Sequence, residues 1–165
     1  MRCVALLFVL LVHGVCGAET IQGRVTRIAD GDSLTIRDSA QREFKIRLAG
    51  IDAPEREQPY YETSRQNLAG LAYGKLVTVK WYKRDRYGRL VGTAVAATDK
   101  MDLGLAQVRA GHAWWFKRDA KEQTPFERSR YETAEREAQT NKRGLWRTGK
   151  PVPPWEWRAA RGLPD

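Results

Sequence analysis

The sequence predicts an α+β protein that is mainly β, on the strength of three observations. Apolar and polar residues alternate in several short segments, which is the pattern of strands with one buried face. Turn-forming residues, such as Asp30-Gly31-Asp32, separate the first of these segments by only a few positions. Apolar residues at helical spacing lie between the third and fourth segments. A small sheet accompanied by a few helices is therefore expected.

Five strands are predicted, three in a meander and two in a later hairpin, over residues 20–28, 33–37, 43–50, 75–82 and 89–97. In the third strand, Arg47 lies on the face opposite Ile46 and Leu48. This strand ends before Pro54, because proline has no amide donor. Five strands in this order, with a helix between the third and the fourth, match the five-stranded Greek-key barrel called the OB-fold.

Three helices are predicted from apolar residues at helical spacing, over residues 61–72, 99–110 and 124–139. Gly74 follows the first helix, as is usual just past a helix end. Thr124 and Glu127 form a capping box at the start of the third helix, and Phe126 is expected on its buried face. The sequence thus predicts an OB-fold barrel with three helices over residues 19–147.

A tail rich in proline and tryptophan follows over residues 148–165 and is predicted to have no regular structure. Trp155 and Trp157 are nevertheless expected to fold back onto the domain, since two exposed tryptophans would be costly in water. The earlier aromatic run at residues 114–116 is interpreted as core packing in preference to base stacking.

Residues 1–18 are predicted to be a secretory signal peptide. Arg2 supplies the positive start, residues 4–12 are an unbroken apolar run, and small residues allow cleavage after Gly17 or Ala18. The apolar run is too short for a membrane span, although an uncleaved anchor stays open as an alternative. The mature chain is expected to be exported, periplasmic or secreted, without stable membrane association, and a monomer.

Cysteine and histidine usage limits the possible chemistry. Cys3 and Cys16 both precede the cleavage site, so the mature chain has no disulfide and no thiolate zinc site. His112 is then the one remaining histidine and is expected to be structural, which excludes a two-histidine acid-base mechanism. A bound metal would need carboxylate and carbonyl oxygens, which favours calcium or magnesium.

Two acidic turns are candidates for such a metal site. Asp32 lies in the turn after the first predicted strand, and Asp52 lies just past the third. Closure of a barrel could bring the two together. With the backbone carbonyl of Ala53 and with water, they could ligate a hard cation. An Asp-Gly pair taken alone is most often an ordinary turn.

Two arginines and one glutamate are candidates for catalysis on a phosphodiester. Arg47 and Arg89 lie in or beside strands, and the guanidinium fork suits bidentate recognition of phosphate. Glu55 could act as the base that activates water. Each of these residues, taken alone, is more often an ordinary surface side chain. Only their combination with a metal site indicates phosphodiester hydrolysis. The excess of 29 Lys and Arg over 20 Asp and Glu is consistent with a polyanionic partner.

The basic loop at residues 83–88 is a candidate for contact with the substrate. Tyr87, with Arg84 and Arg86 beside it, could form an aromatic platform for a single-stranded chain. Packing of Tyr87 on its own hairpin is an equally good interpretation, and both stay open.

Three ordered segments, residues 29–33, 47–55 and 85–89, closely resemble the staphylococcal-nuclease-like (thermonuclease) family. The resemblance spans about residues 20–147. It implies an OB-fold barrel with three helices and a calcium-dependent nuclease that cleaves DNA and RNA to leave 3′-phosphate ends. The alternative is an OB-fold nucleic-acid-binding module without turnover.

The resemblance also implies a role for each matching residue. Calcium carboxylates are matched by Asp32 and Asp52, the carbonyl ligand by Ala53, the general base by Glu55, and the phosphate-binding arginines by Arg47 and Arg89. Ala53 departs from the threonine of the best-known member, which keeps the carbonyl and removes a hydroxyl. No charged group of the motifs is lost.

Overall fold

A computed structural model of the chain describes residues 19–164, and the predicted signal peptide lies outside the described residues. The strands are β1 (Glu19–Ile28), β2 (Ser33–Arg37), β3 (Glu43–Leu48), β4 (Ile51–Asp52), β5 (Leu76–Arg84), β6 (Leu90–Ala96) and β7 (Trp114–Trp115). The α-helices are α1 (Tyr61–Ala72), α2 (Leu103–Arg109), α3 (Pro125–Thr140) and α4 (Pro154–Ala159). Two 3₁₀ segments occupy Lys117–Glu122 and Gly144–Thr148.

Five strands close into a barrel in the order β1-β2-β3-β6-β5, which confirms the predicted fold class. Neighbouring strands are antiparallel except β3 and β6, whose parallel pairing joins the meander to the hairpin. The inward residues of these strands, such as Val25, Ile36, Ile46 and Val79, are almost completely buried. They supply the apolar interior that the period-2 alternation predicts.

Two strand boundaries differ from the prediction. The third strand ends at Leu48, because Gly50 has a positive φ of 73° that turns the chain into β4. β4 pairs with β7 in a second, two-stranded sheet that was not predicted. The first hairpin strand extends to Arg84, so Lys83 and Arg84 belong to β5 and not to the loop.

The predicted start of α2 at residue 99 is wrong. Lys100 has a left-handed φ of 56°, which interrupts any helix there, and Asp102 caps the helix instead by accepting a hydrogen bond from the Leu105 amide. The capping box at Thr124 and Glu127 is confirmed. Phe126, expected to be buried, is 70% exposed.

The tail forms a short helix, α4, so the prediction of irregular structure is wrong. Pro154 stands in its first turn, where a missing amide donor costs nothing. Trp155 packs against Trp114 and Phe116, with ring centroids 6.4 Å and 5.6 Å apart, which confirms that it folds back. Trp115 is also buried, as predicted for the aromatic run. None of the helices in residues 19–164 has the length and apolar character needed to cross a membrane.

Candidate active site

The acidic turn between β1 and β2 is held tightly against the helices. A Cβ at Gly31 would collide with the Ser64 hydroxyl of α1, so only glycine lets the turn approach so closely. The buried side chain of Gln107, in α2, donates from Nε2 to the Gly31 carbonyl at 2.6 Å. These contacts fix the direction in which Asp32 leaves the turn.

Asp52 is fixed by the small sheet. Its backbone pairs with Trp114 of β7, and the residue is only 2% exposed. Asp32 is 5% exposed. Burial of two carboxylates is costly unless positive charge or hydrogen bonds compensate them.

Arg47 supplies that compensation at the end of β3. Its Nη1 lies 3.0 Å from Oδ2 of Asp32, and its Nη2 lies 3.2 Å from Oδ1 of Asp52. Nη1 also donates to the Ile51 carbonyl at 2.8 Å. The Ala53 amide donates to Oδ2 of Asp32 at 2.9 Å. The two predicted metal carboxylates, Arg47 and the Ala53 backbone are therefore in one place.

Glu55 lies on the same cleft, beside an arginine that was not predicted to be a site residue. Arg158, from α4, places Nη1 2.5 Å from Oε1 of Glu55 and Nη2 2.8 Å from Oδ2 of Asp52. The Glu55 side chain is 38% exposed, so it remains accessible from the cleft.

Arg89 reaches the site just before β6. Its Nε lies 2.6 Å from Oδ2 of Asp85, which orients the guanidinium. Its Nη1 donates to the Ser33 hydroxyl at 3.2 Å, and that hydroxyl donates to Oδ1 of Asp32 at 2.9 Å. Arg89 is thus joined to the acidic turn through Ser33.

The basic loop is divided between two faces. Tyr87 is 60% exposed, and the guanidinium carbons of Arg86 and Arg89 lie 5.8 Å and 5.4 Å from its ring centroid. Arg84 instead lies over the Trp81 ring, at 5.4 Å, and does not line the cleft. The substrate contacts of Arg84, Arg86 and Tyr87 stay predictions.

Burial and neighbouring charges of the same sign raise the pKa values of two acidic side chains in the cleft, Asp52 and Asp30. Burial raises the pKa of Asp52 to about 6, against the lowering effect of Arg47. Burial, followed by the neighbouring charge of Asp32, raises the pKa of Asp30 to about 7. Burial alone would lower the pKa of Arg47, but Asp32 and Asp52 raise it, so this guanidinium stays charged.

These groups line one cleft of about 780 Å³. Seven charged residues that line it were not predicted as site residues from the sequence: Asp30, Arg56, Lys83, Asp85, Arg118, Asp119 and Arg158. The Asp-Gly-Asp turn was a usable signal for Asp30. No local signal identified Asp119 or Arg158, because a 3₁₀ segment and a folded tail bring them to the cleft.

Within residues 19–164, no cluster of three or more His, Cys, Asp or Glu side chains has an arrangement suited to a metal ion. The structure brings two predicted carboxylates together, Asp32 and Asp52, through the guanidinium of Arg47.

Arginines and carboxylates that converge on one cleft of a small barrel are suited to binding a phosphodiester, and comparison with known proteins identifies the family. Residues 45–148 match the family described as staphylococcal nuclease homologue. The chain belongs to this staphylococcal-nuclease-like family, a family of nucleases.

Three relatives show the extent of the similarity. An uncharacterized endonuclease of Escherichia coli O157:H7 is 42% identical over 138 residues, covering 84% of this chain and 85% of the relative. A micrococcal nuclease of Shigella flexneri is 35% identical over 167 residues, covering 97% and 92%. An uncharacterized endonuclease of Haemophilus influenzae is 35% identical over 154 residues, covering 93% and 82%.

Proposed function

We propose that the chain is an exported, calcium-dependent endonuclease that hydrolyses phosphodiester bonds of DNA and RNA with low sequence specificity and leaves 3′-phosphate ends. The observation that carries this proposal is the convergence of the predicted residues on one cleft. Asp32 and Asp52 share the guanidinium of Arg47, while Glu55 and Arg89 lie along the same cleft wall.

The donor chemistry of the cleft fits a hard cation. Asp32 and Asp52 are buried carboxylates close enough to pair with the same guanidinium, and among residues 19–164 no cysteine or histidine lines the cleft. Asp32, Asp52 and the Ala53 carbonyl would hold calcium, with water completing its oxygen ligands. When bound, the cation would offset negative charge on the phosphate.

The arginines would recognise the phosphate itself. Arg47 and Arg89 are both oriented by carboxylates, Arg47 by Asp32 and Asp52, and Arg89 by Asp85. Because carboxylates already hold each guanidinium in place, its remaining N–H donors can bond phosphate oxygens with little further loss of side-chain entropy. Both would stabilise the additional charge of the pentavalent transition state.

Glu55 would accept the proton of the attacking water. Its carboxylate is partly exposed to the cleft, and its backbone amide donates to the side chain of Gln58 at 2.9 Å, which fixes the start of the side chain. A 3′-phosphate end requires that the bond between phosphorus and the 5′-oxygen breaks, so water attacks phosphorus opposite that oxygen, and the leaving 5′-oxygen takes a proton from solvent water. Little sequence specificity is expected, because the groups in the cleft recognise phosphate and not base edges.

Cleavage of defined substrates tests the proposal. Mature protein is incubated with single-stranded DNA, double-stranded DNA and RNA, with calcium or with a chelator, and the ends of the products are identified by mass spectrometry. All three substrates are expected to be cleaved to products with 3′-phosphate ends when calcium is present, and none when the chelator is present. Binding that persists in chelator without any cleavage in calcium would instead identify a nucleic-acid-binding module. Export is tested separately by recovering the chain without residues 1–18 from the periplasm or medium.

A further inference from the structure

The chain beyond the barrel folds over the mouth of the cleft. Residues 151–164, called here the C-terminal arm, contain α4 and are anchored at both sides. The Val152 carbonyl accepts a hydrogen bond of 2.7 Å from Nε2 of Gln58, the residue whose side-chain oxygen accepts from the Glu55 amide. Trp155 packs on Phe116 of the cleft wall. The arm is therefore part of the site's surroundings and not a loose extension.

Arg158 is the charged residue that the arm inserts between the two predicted functional acids. Its side chain is 12% exposed. Its guanidinium reaches Oδ2 of Asp52 at 2.8 Å and Oε1 of Glu55 at 2.5 Å. The guanidinium of Arg158 thus contacts both the proposed metal ligand, Asp52, and the proposed base, Glu55.

This arrangement engages both carboxylate oxygens of Asp52. Arg47 contacts Oδ1 at 3.2 Å, and Arg158 contacts Oδ2 at 2.8 Å. A divalent cation that binds Asp52 must either displace one guanidinium or lie beside it. Arg47 is also held by Asp32 and by the Ile51 carbonyl, all within or beside the barrel, whereas Arg158 is carried by a six-residue helix. Displacement of Arg158 would need a shift of α4 alone, whereas displacement of Arg47 would break contacts at the end of β3.

The positive charge of Arg158 is expected to weaken binding of a divalent cation. A guanidinium a few ångströms from a divalent cation repels it, and in a partly buried cleft the repulsion is screened less than in water. The same guanidinium forms charge-assisted hydrogen bonds to the carboxyl oxygens of Asp52 and Glu55. Cation and arginine therefore compete for the same acids.

We propose that Arg158 is an internal competitor for the divalent cation, so that the C-terminal arm sets the cation concentration at which the nuclease acts. This inference rests on the proposed function, because it presumes a cation at Asp32 and Asp52. The family match ends at residue 148 and assigns no role to the arm. By linkage, cation binding must also weaken the contact between the arm and the cleft.

Calorimetric titration with calcium of the full mature chain and of Arg158→Gln tests the proposal without any activity measurement. Loss of the competing charge is expected to tighten calcium binding about tenfold. Arg161→Gln is the matched control, because Arg161 lies over the Trp157 ring and its removal takes the same charge from the same arm. Unchanged affinity is expected for the control. Equal tightening in both variants, or no tightening in Arg158→Gln, would overturn the proposal.

A second variant covers the case in which Arg158→Gln does not fold, as judged by circular dichroism. Trp155→Ala keeps Arg158 but removes the packing of the arm on Phe116 and Trp114. Because the arm is then held less firmly, this variant is also expected to bind calcium more tightly than the wild type. Hydrogen exchange of the α4 amides should also increase in the wild type at saturating calcium. Exchange that calcium leaves unchanged would contradict the competition.

The outcomes separate this inference from the proposed function. Calcium binding to the wild type with no difference in either arm variant leaves the nuclease proposal intact and removes only the role of Arg158. Absence of calcium binding in wild type and variants alike overturns both.

Discussion

The side-chain amide of Gln107 donates to the backbone carbonyl of Gly31 at 2.6 Å, which ties a completely buried helix residue to the turn that carries Asp32. The same Nε2 lies 3.1 Å from the Ser64 carbonyl, and Asn67 donates to Oε1 of Gln107. One buried amide therefore connects α1, α2 and the acidic turn. The position of Asp32 depends on this network as much as on the barrel.

Gln107→Met keeps the volume of the side chain but removes its hydrogen bonds. Because buried carbonyls would lose their donor, the free energy of unfolding should fall by about 2 kcal/mol. Calcium affinity should fall as well, since the turn is no longer held. Urea denaturation and calorimetry measure the two effects. Gln66→Met, on the exposed face of α1, is the control and should change neither. Equal stability of both variants would show that the network does not hold the turn.

Glu55→Gln should keep the fold and lower kcat by about 10²- to 10⁴-fold, because the amide cannot accept a proton from water. The KM for DNA should change little, since phosphate binding is assigned to the arginines. Single-turnover cleavage with saturating calcium measures the chemical step. Glu57→Gln, at an exposed residue two positions away that does not line the cleft, provides the comparison. Equal rates in wild type and Glu55→Gln would remove Glu55 from the mechanism.

Arg89→Ala should lower kcat/KM by about 10²-fold or more, because a guanidinium that stabilises the transition state is lost. Arg89→Lys should restore little of this activity, as an ammonium cannot form two parallel bonds to phosphate. Arg128→Ala, on the exposed side of α3, is expected to behave as wild type. A lysine variant with full activity would show that Arg89 contributes charge alone.

Tyr87→Ala should raise KM on single-stranded substrate several-fold more than on duplex, because an exposed ring flanked by Arg86 and Arg89 is available for base stacking. Tyr87→Phe should retain wild-type KM, since the ring provides the stacking surface. Arg84→Ala should raise KM less than Arg86→Ala, because Arg84 lies on Trp81. A loss of stability in Tyr87→Ala with unchanged KM would favour packing on the hairpin.

His112 should make the fold less stable in mild acid. Burial lowers the pKa of His112 below its ordinary value of 6.5, and Nδ1 is buried without a hydrogen-bond partner among the described residues. Below about pH 6.5, His112 binds a proton in the unfolded chain but stays neutral in the folded chain. The free energy of unfolding therefore decreases as the pH falls towards the pKa of His112 in the folded state.

Urea denaturation at about pH 7.5 and about pH 5.5 measures this pH dependence. The wild type should lose more stability between the two values than His112→Asn, which has no titrating group there. Burial also raises the pKa of several carboxyls, to about 7 for Asp30 and about 6 for Asp52, and in the same direction for Asp102 and Glu135. All of these are present in both proteins, so their contribution cancels in the difference. An identical loss in both proteins would show that His112 does not titrate on unfolding.

The barrel and most of the cleft could be predicted because their determinants are local. Alternation at positions such as Val77 and Val79 defines the strands, and the acids and arginines stand at the strand ends where short turns place them. Phe126 was assigned wrongly because helical spacing does not distinguish a face that packs from one that meets water. Arg158 could not be predicted, since α4 is stabilised by the packing of Trp155 on rings distant in sequence.

Closure of the barrel joins segments that lie far apart along the chain, and this has a kinetic consequence. Glu19 pairs with Trp81 across β1 and β5, and Ile46 pairs with Leu90 across β3 and β6. Each pairing closes a long loop, and the entropy lost in closing it opposes folding before the contact stabilises the fold, so slow, high-contact-order folding is expected. Refolding from denaturant is therefore expected to be slow compared with that of a helical bundle of the same length.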